Sequence, residues 1–403
     1  MPHERKKKIR MVLFISLLLL ILSTTEGYSF AAVEEDNGDV AQIIEQQTGT
    51  SGVGAIKDEL EKYMNEESNE ILQGFSPEEL ISNVTAGNLG IDIKGIGAKA
   101  LQFLFRELYQ NLGIFIKLAV LVVICALLKS LQANFLSESV GQVAFYVCYI
   151  VIISILLVSY GTVVKMGMDI IDKMVGFMYV TIPVMMALLI SGGNITTGGI
   201  LHPILLLIVE ASATLIKNIF IPLVFLSTIV KIVNNISEKI QLAKLANLLK
   251  QIVTWTLATI LTVFVIAVSL QGSLGAVIDG ATSKAAKFAI STFIPIVGKT
   301  LADATDTVIG CTLLIKNAAS VAVMVGILVI CIVPLIKIIA VVALYKAASA
   351  LLEPISESRI TNCIDDVAGS MLQIFALTAA VAFMFMISIT ALISAGNISA
   401  MLR

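Results

Sequence analysis

Long, almost uncharged apolar runs restrict what this chain can fold into. Five of them have about 20 residues or more, the length that a helix needs to cross the roughly 30 Å hydrocarbon core of a bilayer. They cover residues 112–131, 140–164, 252–271, 319–345 and 367–395. Over the whole chain 57% of residues are hydrophobic and 14% are charged, against about 25% charged in a soluble domain. The runs predict an all-α, polytopic membrane protein.

The first 31 residues have the pattern of an export signal. Five basic residues precede the apolar segment 11–22, and Ser29 and Ala31 suit cleavage after Ala31. The alternative is an uncleaved anchor, although twelve apolar residues span only about 18 Å as a helix. Either way, the residues that follow begin outside the cytoplasm.

Residues 32–111 form a strongly acidic segment, with fifteen acidic and five basic side chains. Apolar residues at helical spacing predict a helix over 56–74, and Ser76, Pro77 and Glu79 predict the capped start of a second. A third amphipathic stretch, 95–111, leads into the first span. The segment has little core of its own, so we expect a partner or the membrane surface to order it; the alternative is a solvated tether.

Two apolar regions are interrupted by proline, glycine and polar residues, which favours broken helices. They are residues 174–233, the first broken region, and residues 285–339, the second. At an offset of 112 residues, Pro183 falls on Pro295 and Pro222 falls on Pro334. The offset also aligns spans and linkers, which indicates an internal repeat of 140–250 with 252–362. The membrane domain is then 112–403. The linker 235–250 is rich in lysine, which favours a location on the cytoplasmic side of the membrane.

The stretch IPIVGKT, which ends at Thr300, resembles the end of a phosphate-binding loop. A P-loop requires a glycine where this chain has Phe293, so we predict no nucleotide site. The two histidines of the chain are His3, in the signal, and His202, which leaves no pattern for a metal site or a catalytic triad. We therefore expect no enzyme activity, no metal and no cofactor.

Polar residues at membrane depth are the remaining candidates for function. Lys299, Asp303 and Asp306 fall on one helical face, and a charged side chain facing lipid at mid-bilayer costs roughly 2.5–3.5 kcal/mol. His202 and Glu210 follow the matching stretch of the first copy. These residues either line a cavity or lock helices together, or they belong to an interfacial amphipathic helix whose charges are solvated.

Several long motifs resemble the stage III sporulation protein AE family of endospore-forming bacteria. They include LHPILLLIVEASATLIKNIFIPLVFLSTI, SLQGSLGAVIDGATSKAAKF, FIPIVGKTLADATDTVIGCTLLIKN and the ending ISAGNISAMLR. The resemblance covers about residues 100–403. It transfers no catalytic residues.

The resemblance implies a mother-cell membrane protein that faces the engulfed forespore. It implies a permease-like core of a channel or secretion-like complex that supports late forespore gene expression. The implied partners are the other stage III sporulation A-operon membrane proteins, including a separate secretion-type ATPase, and a forespore protein of the stage II Q type. Two alternatives stay open, namely a non-conducting assembly scaffold of that complex and an independent secondary transporter.

Overall fold

The computed structural model describes residues 53–64, 71, 93–135, 138–236, 242–293 and 298–401 of the chain. The signal segment, most of the acidic segment and Pro295 lie outside the described residues. Helices account for nearly all of the described chain, as the apolar runs predict. They are α1 Val53–Tyr63, α2 Ile93–Phe135, α3 Glu138–Ser191, α4 His202–Leu215, α5 Ile221–Ile236, α6 Ala243–Phe293, α7 Gly298–Leu352 and α8 Ser358–Met401. The short π-helical segments Thr197–Leu201 and Ile216–Phe220 flank α4 and join it to its neighbours.

Within the described ranges, six helical segments are long and apolar enough to cross a membrane. They lie in α2, α3, the composite segment Thr197–Asn235, α6, α7 and α8. Each of the five predicted runs falls within one of the helices α2, α3, α6, α7 and α8. In α8, 67% of the most apolar window is buried, against 11% in α6. Helix α8 is therefore central in the bundle, and α6 lies at its periphery.

Helix α3 is longer than a bilayer is thick. Its 54 residues extend about 80 Å, whereas membrane helices with ordinary tilts cross a core of about 30 Å. Exposed charged side chains lie near its middle: Lys165, Asp169, Asp172 and Lys173. Because charges cannot face hydrocarbon cheaply, we expect this part of α3 to lie at or beyond a membrane surface.

The predicted helix-break residues have different settings. Pro183 lies inside α3 and Pro334 inside α7, and both helices continue through them. Membrane helices tolerate proline where neighbouring helices and local adjustments satisfy the freed carbonyl. Pro222 is the second residue of α5, directly after a π-helical segment. The interruption of the first broken region falls instead between Ser191 and Thr197, at a pair of glycines.

Ionic contacts at one end of the bundle lie beside the linker 235–250 and beside its counterpart at the 112-residue offset, 347–362. Lys231 at the end of α5 pairs with Asp366 of α8, and Lys346 of α7 pairs with Asp365, each at 2.5 Å. The Asn234 side chain accepts the backbone N–H of Ala243 at 3.0 Å and so caps the start of α6. Both linkers lie at the same end, which a parallel repeat requires; the repeat itself stays a prediction.

Helix α1 packs against the chain's own membrane bundle. Ile56 and Leu60 are completely buried, and the Tyr63 ring meets the edge of the Phe177 ring at a centroid distance of 6.1 Å. Burial, and then the Glu59 carboxylate, raise the pKa of the Tyr63 hydroxyl. We expected a partner or the membrane surface to order the acidic segment. For α1 the structure shows a different arrangement, because this helix docks between α3 and α7 of its own chain. The third amphipathic stretch is the beginning of α2.

Candidate functional site

The interruption after α3 is a glycine-terminated turn. Gly193 has φ of 76°, a left-handed conformation that glycine adopts without strain. Its N–H donates to the Ile190 carbonyl at 2.9 Å, and the Asn194 N–H donates to the Leu189 carbonyl at 3.0 Å. These two bonds form a Schellman motif, which closes the carbonyl end of a helix. The chain then resumes as a helix within a few residues.

Asp279 of α6 closes the other side of the interruption. Its two carboxylate oxygens accept the backbone N–H groups of Thr196 and Thr197 at 2.8 and 3.0 Å. These N–H groups belong to the first turn of the new helical segment, where no earlier carbonyl is available to them. A carboxylate at this position also complements the positive end of the helix dipole. Asp279 is only 1% exposed, so the cap is buried.

Close approach of two backbones brings α6 onto this turn. A Cβ atom on Gly275 would lie 2.5 Å from Thr197 Oγ1 and 3.0 Å from a Leu201 methyl. Only glycine therefore fits at this position of α6 without displacing its neighbours. Gln271, Gly275 and Asp279 are spaced four residues apart, so they form one stripe along α6.

The π-helical turn aligns His202 with Thr197. The His202 backbone N–H donates to the Thr197 carbonyl, five residues earlier, and such wide turns occur frequently at functional sites. His202 is completely buried, and neither ring nitrogen has a hydrogen-bond partner in the structure. The amide oxygen and nitrogen of buried Gln271 are also unpaired, as are Thr197 Oγ1 and Asn194 Oδ1.

We call this group the bend cluster and define it as Asn194, Thr197, His202, Gln271 and Asp279. Each member is at most 4% exposed, and the group lies among helices that are otherwise apolar. Unpaired buried polar atoms cost free energy, about 1–3 kcal/mol each. Native structures hold few of them, and an accumulation at one place indicates water, an ion or a functional role.

The structure places the other predicted site residues elsewhere. Glu210 accepts a hydrogen bond from the Tyr179 hydroxyl, and Tyr179 is 58% exposed, so this pair lies on the outside of the bundle. The backbone of Lys299, Asp303 and Asp306 belongs to the first turns of α7, but their side chains lie outside the described residues. Of the predicted residues, only His202 is a member of the bend cluster.

Sequence reasoning missed most of the cluster and one buried lysine. The sequence does contain a sign that Asp279 is unusual, because it is the single charged residue between Lys250 and Lys284. Lys316 of α7 is completely buried, and its ammonium donates to the Ile393 carbonyl of α8 at 3.2 Å. Next to it, the Asn317 amide donates to Asn397 Oδ1 at 3.2 Å. These contacts connect α7 to α8 near the end of the chain.

The cluster does not have the composition of a transition-metal site. Among the described residues, no group of three or more histidine, cysteine or carboxylate side chains could hold a metal ion. Asp279 forms no ion pair with any basic side chain of the described chain. Within the described residues, the Asp279 carboxylate is therefore paired only with the backbone N–H groups of Thr196 and Thr197.

Comparison with known proteins identifies the family. The family model described as stage III sporulation protein AE matches residues 75–396. The chain is 33% identical over 405 residues to the stage III sporulation protein AE of Bacillus subtilis (strain 168), and the match covers 98% of this chain and 100% of that protein. No solved structure shows significant similarity to the chain. The chain is a multi-pass membrane protein of sporulation and belongs to the stage III sporulation protein AE family.

Proposed function

We propose that the protein is the permease-like membrane core of a channel or secretion-like complex between the mother cell and the forespore. In this proposal, residues 1–31 direct export and residues 32–111 lie between the two membranes. The partners are the other stage III sporulation A-operon membrane proteins, with a separate secretion-type ATPase supplying energy, and a forespore protein of the stage II Q type. The complex supports late gene expression in the forespore.

The observation that carries the proposal is the bend cluster. A bundle that served only as a membrane anchor would gain stability by replacing unpaired buried polar atoms with apolar ones. Instead, five buried polar residues lie on the segments beside the interruption of one long helix and on the neighbouring helix that caps it. Polar residues at an interrupted membrane helix are typical of transport sites. This arrangement supports a role in conduction or gating.

Replacement of His202 by leucine separates function from stability. The ring nitrogens have no partner, so an apolar residue of similar volume should leave the free energy of unfolding unchanged or raise it. If the cluster works in transport, late forespore gene expression should nevertheless fall at least tenfold. The measurement is a forespore reporter in a sporulating cell that carries this chain in place of its own homologue, together with the amount of the protein in the membrane.

The matched control is Thr262→Val on α6. The Thr262 hydroxyl is exposed and donates to the Ala258 carbonyl of its own helix. Its loss should change neither the forespore reporter activity nor the amount of the protein in the membrane. Normal reporter activity in His202→Leu at normal protein levels would contradict a transport role for the cluster.

The charged group at the start of α7 remains part of the proposal. If Lys299, Asp303 and Asp306 face an aqueous path, the double change Asp303→Asn and Asp306→Asn should reduce forespore activity while the protein still accumulates, because the charge would be lost and the side-chain shape kept. Normal sporulation of this double variant would instead favour an interfacial amphipathic helix with solvated charges. Spore counts and immunoblots of the membrane fraction distinguish these results.

A further inference from the structure

We propose that the bend cluster is a binding site for a small monovalent cation of the Na⁺ class. In this site Asp279 supplies the balancing charge, and side-chain oxygens of Asn194, Thr197 and Gln271 supply neutral ligands. The proposal goes beyond a role in the sporulation complex, and it does not rest on that role, because binding is a property of the purified chain.

The buried carboxylate of Asp279 favours a positively charged ligand. Asp279 is buried, and both of its oxygens accept backbone N–H groups. An ionised carboxylate in a low-dielectric bundle is costly unless a positive charge is close. No basic side chain of the described residues forms an ion pair with it. A bound monovalent cation would make the site neutral.

The bend cluster also contains three side-chain oxygens that have no hydrogen-bond partner. Thr197 Oγ1, Asn194 Oδ1 and Gln271 Oε1 are all buried and unpaired. Thr197 carries the N–H that Asp279 caps, and its hydroxyl lies against Gly275, midway between Gln271 and Asp279 on α6. Oxygen atoms of carboxylate, amide and hydroxyl groups are the ligands that hard cations prefer. His202, one π turn from Thr197, has two unpaired nitrogens that suit accompanying water.

Other occupants of the bend cluster explain its composition less well than a monovalent cation does. An anion would meet the Asp279 carboxylate without a basic side chain to offset the repulsion. Water alone would pair the free atoms, but it would leave the buried charge unbalanced. The charge of a divalent ion would exceed the charge of the single carboxylate. Protein sites for such ions usually contain several carboxylates. The interrupted helix also fits, because helix breaks in membrane proteins commonly supply ligands to monovalent cations.

The test uses the purified full-length chain in detergent micelles, with Na⁺ as the probe. Thermal unfolding is followed in NaCl from 1 to 300 mM, with choline chloride added to keep the ionic strength constant. A ligand that binds only the folded state stabilises it in proportion to the logarithm of its concentration. We expect the midpoint temperature to rise by about 5 °C over this range.

Two variants assign the effect to the cluster. Gln271→Leu and Thr197→Val each remove a free oxygen at nearly constant volume, and each should abolish the dependence on NaCl. The control Thr259→Val removes an exposed hydroxyl of α6 that bonds within its own helix, and it should keep the dependence. If one of the two variants does not accumulate, the other carries the test.

Three results would overturn the proposal. The first is a wild-type midpoint temperature that does not change with NaCl. The second is an equal rise of the midpoint when choline chloride alone is raised over the same range without Na⁺. The third is an undiminished Na⁺ effect in both cluster variants. The forespore reporter is measured on the same variants. Loss of the Na⁺ effect with normal reporter activity would refute the transport role while leaving the cation site in place.

Discussion

Replacing Asp279 with leucine is expected to lower the free energy of unfolding by about 3–6 kcal/mol. The carboxylate accepts two backbone N–H groups from the turn after α3, and a hydrogen bond to a charged group contributes roughly 1.5–3 kcal/mol. Leucine leaves both donors buried without a partner. Since a typical protein is stable by only about 5–15 kcal/mol, most of the variant should fail to accumulate in the membrane.

Conservative substitutions define the cause of that loss. Asp279→Asn keeps one acceptor oxygen but brings an amide N–H₂ toward a donor, so its effect should be intermediate. Asp169→Asn on α3 removes an exposed carboxylate and should change stability by less than about 0.5 kcal/mol. Thermal unfolding in detergent and immunoblots of the membrane fraction measure the series. Equal accumulation of Asp279→Leu and Asp169→Asn would show that the buried cap is unimportant.

The sequence allows the helices to be predicted much better than their contacts. Apolar runs of about 20 residues require helices in a bilayer, because each backbone polar group must be paired within its own segment. That argument does not depend on neighbours, and it correctly predicted the all-helical bundle. The extension of α3 from the predicted run 140–164 across Lys165 and Asp172 to Ser191 was not predicted.

The bend cluster depends on contacts between distant residues. Asp279 caps Thr196 and Thr197 from 82–83 residues away, and no local spacing rule connects these positions. The sequence does flag an isolated carboxylate in a long uncharged stretch, and a glycine-rich segment before His202. Which helix the carboxylate faces follows only from the packing of α6, where Gly275 permits close contact.

The docking of α1 shows the same limit at the other end of the chain. The spacing of Ile56 and Leu60 predicts an apolar helical face, and the structure has a helix there. It covers Val53–Tyr63 and so ends well before the predicted limit at residue 74. A face of this kind does not specify its partner. Gly176 and Gly326 provide the space on α3 and α7 into which α1 packs, and single glycines in apolar runs carry no distinctive signal.

Gly326→Leu is expected to release α1 from the bundle. A Cβ atom at this position would lie 2.4 Å from a ring carbon of Phe177 and 3.0 Å from a Leu60 methyl. Phe177 is completely buried, so it cannot rotate away into solvent, and overpacking of a filled core costs about 1–3 kcal/mol. The short α1 has fewer contacts to lose than α3 or α7, and it should therefore be displaced first.

Labelling of a cysteine at position 56 measures this displacement. Ile56 is completely buried in the docked helix, so in a background without the native cysteines, Ile56→Cys should react slowly with a maleimide. Adding Gly326→Leu should raise the labelling rate at least tenfold. The control is Gly310→Leu on the same helix, because a Cβ there would have nothing within 4 Å. If both glycine variants label at the same rate, α1 is not held by the pocket at Gly326. Faster labelling in Gly326→Leu alone would show that packing at Gly326 holds α1 between α3 and α7. A partner that binds the acidic segment would then act directly on the membrane bundle through α1.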